Sequence, residues 1–184
     1  PDSTGDDFPG HQTVLDYLTA FTDYKDLDSL IRFDTRVKSI QPPVRLASKW
    51  KLVTYRDETE FFDAVVIANG HYDQPRFPEI SGIQSFSGTI SHSKNYRNPD
   101  SFAAKRVMIW GAAASAQDLS REISDIAEQL FWCGKRKPNS MTSQQSNISY
   151  HADPVRIDGQ SVFLSDQTCI PNVDHIIYCT GYHY

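Results

Sequence analysis

The sequence predicts an α/β fold, and three observations predict it. Residues 107–110 form a strand-like run that ends on Gly111. Leu119, Ile123, Ile126 and Ala127 then recur at helical spacing, and residues 130–133 make a second strand-like run, which completes one βαβ unit. Residues 61–68 form an apolar run closing on Asn69-Gly70, the pattern of a parallel strand buried on both faces. Two more strand-like runs follow at residues 162–164 and 174–179.

The remaining elements follow in chain order. Residues 1–7 are acidic and loop-like, and a helix is expected over 11–24, with Val14, Leu15, Leu18 and Phe21 on one stripe. Short β-rich runs at 31–33, 37–40 and 50–55, separated by Pro42-Pro43 and polar turns, suggest a small antiparallel insert. Pro75 and Pro78 mark a domain edge. Residues 138–149, rich in Ser, Gln and Asn, read as an exposed loop. The sequon Asn147-Ile148-Ser149 carries no weight in a chain without a secretory signal. No internal repeat is present. A start at Pro1 and a stop at Tyr184, directly behind a strand-like run, give both ends the look of cuts.

Composition narrows the function. A chain of 184 residues holds one domain or two small ones. With 39% hydrophobic and 22% charged residues it is an ordinary globular sequence. Eighteen Lys and Arg against 23 Asp and Glu give a net charge of -5, which disfavours nucleic acid and anionic lipid as partners and favours small-molecule chemistry. The cysteines Cys133, Cys169 and Cys179 include no CxxC pair, which suits a reducing, cytoplasmic setting and counts against a disulfide reductase. The longest apolar run, residues 64–68, is far too short to span a bilayer.

Two stretches carry chemistry. A dinucleotide site needs a tight turn at a strand end with a helix N-terminus facing the pyrophosphate, and Gly111 sits at such a turn. Against the G-x-G-x-x-G pattern the sequence gives Gly111-Ala112-Ala113-Ala114-Ser115-Ala116, with alanines at the second and third glycine positions. Alanine at the third glycine position still permits close helix packing, whereas Ala113 puts a methyl group where backbone should approach phosphate. The turn is therefore either a cofactor site or a structural turn. After the second strand stands Gly134-Lys135-Arg136-Lys137, where a site for NAD would place a carboxylate. The cations suit a 2′-phosphate and so NADP, or form a solvated basic loop.

The second stretch is Phe86-Ser87-Gly88-Thr89-Ile90-Ser91-His92-Ser93-Lys94-Asn95-Tyr96. It is similar to the FxGxxxHxxx-aromatic identifying sequence of flavin-containing monooxygenases and of the related Baeyer–Villiger and N-hydroxylating enzymes. Tyr96 resembles the first group, since the Baeyer–Villiger enzymes typically carry Trp there. Residues 65–72 with Pro75 and Pro78, residues 176–182, and residues 111–118 resemble further family segments, so the likeness runs from about Phe8 to Tyr184.

The resemblance implies a Rossmann-like flavoprotein with two dinucleotide-binding domains: an incomplete FAD domain over 1–79, an NADP-binding domain over 80–160, and a segment returning to the FAD domain over 161–184. It implies that NADPH reduces FAD, and that a flavin C4a-hydroperoxide formed with O2 then oxygenates soft nitrogen or sulfur nucleophiles. Gly111, Ala113, Ser115 and Ala116 would face the NADP pyrophosphate, with Lys135 and Arg136 near the 2′-phosphate. Asn69, Gly70, Thr180 and Gly181 would border the cofactor cleft. Phe86, Gly88, His92 and Tyr96 would organise the domains, with no catalytic side chain and no metal. Relatives cradle FAD on an N-terminal GxGxxG, yet no GxG occurs among these 184 residues. A non-catalytic NADP-binding module of the same fold is thus a second expectation. Family members also leave open a homo-oligomer and a C-terminal anchor on the cytosolic face of the endoplasmic reticulum.

Overall fold

The computed structural model describes residues 10–45, 48–135 and 146–183, and its contacts divide the chain into two compact units, Pro1–Ala68 and Asn69–Tyr184.

In the first unit, helix α1 (His11–Lys25) forms where the periodicity predicts it. It ends at Asp26, whose left-handed backbone (φ 49°) lets its N–H return to the Asp23 carbonyl. The stripe Val14, Leu15, Leu18 and Phe21 is present, and all four residues are exposed. Strands β1 (Val37–Gln41), β2 (Trp50–Thr54) and β3 (Thr59–Phe62) form the expected antiparallel insert, in that order across the sheet.

Two expectations for this unit are corrected. Residues 31–33 form no strand: they follow a 3-10 turn at Asp28–Leu30, and the left-handed Asp34 (φ 53°) ends the extended run before it can pair. The run 61–68 is not a buried parallel strand either. Its first residues, Phe61 and Phe62, complete β3 and pair antiparallel with Lys51 and Trp50, while residues 64–68 are irregular. A parallel strand buried on both faces needs a neighbouring strand on each side to take its backbone groups. Among the described residues none lies alongside 64–68, and Val66 and Ile67 are exposed.

The second unit is built on a five-stranded parallel sheet. Its elements in chain order are β4 (Gln74–Pro75), β5 (Thr89–His92), β6 (Arg106–Trp110), α2 (Ala114–Ser124), β7 (Gln129–Cys133), β8 (Ile148–His151), β9 (Pro154–Asp158), β10 (Ser161–Leu164), β11 (Cys169–Ile170), β12 (His175–Tyr178) and β13 (Tyr182–His183). The sheet order is β5-β12-β6-β7-β8, so β12 lies between β5 and β6. Part of the expected loop 138–149 thus belongs to the sheet, because Ile148 and Ser149 open β8; residues 136–145 lie outside the described residues.

Strand period two divides the core into two layers. Val107, Ile109, Leu130, Trp132 and Ile177 pack with Ala116, Leu119 and Ile123 of α2. Met108, Trp110, Phe131, Ile176 and Tyr178 pack on the opposite face with Ile157, Val162, Leu164 and Ile170 of the antiparallel meander β9-β10-β11. The short pair β4–β13 brings residues 74–75 beside 182–183, near the end of β12.

Candidate functional site

The strands of the parallel sheet fix where a site can form. From β6 the chain turns through α2 to β7 on one side, while β12 enters on the other, which makes the C-terminal ends of β6 and β12 a topological switch point. Gly111 follows β6 there with φ 137°, and a Cβ on it would lie 2.2 Å from the Cys179 carbonyl oxygen. Only glycine allows the two strand ends to approach this closely. Three hydrogen bonds lock the turn: Gly111 N–H donates to Cys133 O (2.9 Å), Cys179 N–H to Trp110 O (2.7 Å), and Trp132 Nε1 to Gly111 O (2.6 Å).

α2 begins directly after this turn. Its N-cap, Ala113, supplies no capping side chain, and the first turn holds no acidic residue. Ala116 and Gln117 donate back to Ala113 O, while the N–H groups ahead of them carry the positive end of the helix dipole. The helix opens into a cleft of about 700 Å³, within the size range of small-molecule sites. An uncapped helix N-terminus facing a roomy cleft is a donor set that fits an anionic group such as a pyrophosphate.

Five of the residues singled out in the sequence line this cleft: Gly111, Ala113, Lys135, Thr180 and Gly181. Ser115 is exposed on the first turn of α2, and Ala116 is fully buried beneath it in the core. Asn69 and Gly70 are exposed and lie outside the lining, and Arg136 lies outside the described residues. Two charged lining residues, Arg76 and Asp153, carried no signal in the sequence. They come from segments far from the glycine turn, and only folding brings them to it.

The stretch Phe86 to Tyr96 has β5, the edge strand beside β12, at its centre. Phe86 packs on the core layer facing the meander. A Cβ on Gly88 would meet Asp174 O at 2.4 Å, just where Thr89 N–H donates to that oxygen. His92 is buried; its Nδ1 accepts from Lys94 N–H (3.1 Å), so Nε2 carries the proton and donates to Gly181 O (3.1 Å). Burial lowers its pKa, which favours the neutral ring, and the Nε2 hydrogen bond ties that ring to Gly181 in the cleft lining. Lys94 pairs with Asp73 (2.8 Å). Tyr96 stacks on Phe102 and donates to Glu122 of α2 (2.6 Å). The motif therefore ties one sheet edge to both the cleft wall and the helix that opens the cleft.

Beside it, Ser91, Tyr96, Phe102 and His175 line a hollow of about 200 Å³. His175 contacts Ser91 Oγ (2.8 Å), and burial pulls its pKa down to about 4. Cys133 and Cys179 are buried with their thiol pKa values pushed up by burial, which makes them poor nucleophiles. Among the described residues no group of His, Cys, Asp or Glu is placed to hold a metal, and no helix is long and apolar enough to cross a membrane.

Known proteins resemble this chain in sequence and in fold. Residues 3–156 match the FMO-like family model, described as flavin-binding monooxygenase-like. Flavin-containing monooxygenase FMO GS-OX-like 4 of Arabidopsis thaliana is 38% identical over 188 residues, an alignment covering 96% of this chain and 41% of that protein. S-allyl-L-cysteine S-oxygenase from Allium sativum superposes with a TM-score of 0.77 at 33% identity, covering 100% of this chain and 44% of its own. Tmm from Pelagibacter sp. strain HTCC7211 superposes with a TM-score of 0.82 at 26% identity, covering 95% of this chain and 40% of its own. The chain spans about two fifths of the length of these relatives. The match over most of the sequence, together with the shared fold, places this chain in the flavin-containing monooxygenase family.

Proposed function

We propose that this chain is the NADPH-handling portion of a flavin monooxygenase that uses NADPH and O2 to oxygenate soft nitrogen or sulfur nucleophiles. The observation that carries the reading is the cleft at the switch point, where a glycine turn, an uncapped helix N-terminus and Lys135 converge. Sulfur is a natural target, because one relative is an S-oxygenase of a cysteine derivative.

In this reading the exposed first turn of α2, from Ala113 to Ser115, receives the pyrophosphate, and Gly111 gives it access. Ala116 serves by letting α2 pack against the sheet. Lys135 and Arg136 take the 2′-phosphate, and Thr180 and Gly181 form a further part of the lining, with Gly181 held by His92. Asn69 and Gly70 border the flavin side. Bound FAD supplies hydride acceptance and oxygen activation, and this chain's residues supply orientation and exclusion of water. Residues 1–79 belong to the FAD side, 80–160 to the NADP side and 161–184 to the return. The exposed apolar positions of α1 and the pair Val66 and Ile67 support the first assignment, since they are apolar groups with no cover among the described residues.

Ala113, which stands where the dinucleotide pattern wants glycine, favours a second reading, a binding module of the same fold without turnover. The test is a protein extended to the length of the relatives. Flavin absorbance with NADPH-dependent oxygen consumption supports the enzyme. Flavin-free protein that still binds NADPH supports the module.

A further inference from the structure

Arg76 lines the same cleft as the glycine turn, on the segment that follows β4. Its backbone N–H donates to Gly181 O (2.9 Å), and its Nε and Nη2 both donate to Thr180 O (2.9 and 2.6 Å). Thr180 Oγ1 donates back to the Arg76 carbonyl. The side chain is therefore held in place, yet its anchor is a neutral carbonyl that leaves the charge uncompensated. A guanidinium has five N–H groups, and two are used here. No ion pair involves Arg76 or Lys135 among the described residues, and Asp153 is the single carboxylate in the lining. Two cations and the positive end of α2 against one carboxylate make the cleft attractive to an anion with more than one negative oxygen.

We infer that Arg76 is a diphosphate-binding residue of this cleft, supplying the donors that the alanine-rich turn presents poorly. The inference rests on the dinucleotide reading for its physiological ligand. Methyl groups at Ala112, Ala113 and Ala114 limit how closely a phosphate can approach the turn, whereas a long planar fork in the same lining has the reach to meet the group without close backbone approach. Holding the fork on Thr180 O before the ligand arrives reduces the ordering cost of binding.

The test measures melting temperature and affinity for the chain and for Arg76→Lys, Arg76→Gln and Lys135→Ala, with inorganic pyrophosphate, NADPH and NADH. Inorganic pyrophosphate should stabilise the parent chain and Arg76→Lys, and should have little effect on Arg76→Gln. Affinity for NADPH and for NADH should fall together, by about tenfold to a hundredfold, in Arg76→Gln. Lys135→Ala should keep the pyrophosphate response and weaken NADPH more than NADH. Unliganded melting temperatures of the variants report the contribution of the Thr180 contact separately. An unchanged response in Arg76→Gln overturns the inference, as does equal loss in the Lys and Gln variants, which makes Arg76 a latch only. A parent chain stabilised by pyrophosphate through Arg76 but not by either dinucleotide keeps the anion site and sinks the dinucleotide reading. No response to any of the three sinks both.

Discussion

Single residues here are constrained by what their neighbours' backbones leave open. Gly70 and Gly111 both have positive φ, but a Cβ on Gly70 meets nothing within 4 Å, whereas on Gly111 it collides with Cys179 O. Gly70→Ala should therefore cost only backbone strain, roughly 1 kcal/mol. Gly111→Ala must push apart the ends of β6 and β12, and should cost more than about 3 kcal/mol by urea denaturation. His175 gives a second, pH-dependent prediction. Burial, with a smaller effect from Lys105, lowers its pKa from 6.5 to about 4, so the folded chain refuses a proton that the unfolded chain accepts between those values. The stability it contributes is complete above about pH 6.5 and is lost as pH falls towards 4. His92 and His151 shift in the same direction. The urea midpoint should fall across this window, and His175→Gln should flatten the slope; an equal slope in the variant would show that other groups set it.

Elements were legible where local pattern and tertiary pairing agree. The stripe of α1 and the strand–glycine–helix–strand order of β6, α2 and β7 needed only short-range spacing and could be read directly, although α2 ends at Ser124, so that Ile126 and Ala127 fall in the turn that follows the helix. The run 61–68 has the composition of a buried strand, but composition cannot supply neighbours, and the residues beyond Phe62 stay irregular. The stretch 86–96 was recognised as a motif and not as a strand, because β5 is an edge of only four residues whose pairing partner lies more than 80 positions later. Arg76 was illegible for the same reason: the Pro-Arg-Phe-Pro context says nothing of Thr180. Asn147 shows how a motif misleads. Its Nδ2 donates to Ser124 O (2.8 Å) and Ala127 O (3.1 Å), so the sequon's amide closes the C-terminal end of α2 and is not offered for modification. Asn147→Ala leaves those carbonyls short of donors and should cost about 2 kcal/mol, read as a lower thermal midpoint.

The whole second unit depends on the strand of its parallel sheet that comes last in the chain. β12 pairs with β5 on one side and β6 on the other, and Ile176, Ile177 and Tyr178 are at most 1% exposed. Without it β5 loses its partner, both core layers lose their centre, and the cleft loses the wall formed by Thr180 and Gly181. The contacts it makes with Thr89–His92 close a long loop, so the entropy of closure is spent before the burial rewards it. Refolding should accordingly be slow for a chain of this size, with the site forming in the same step as the sheet. A chain ending at residue 172 tests this. It retains β6, α2 and β7, including Trp110 and Trp132 as fluorescent reporters, yet it should show neither a cooperative urea transition at those tryptophans nor NADPH-induced stabilisation. A cooperative transition in that shortened chain would mean that the βαβ unit and its meander are stable alone, and that β12 builds the cleft onto a sheet already formed.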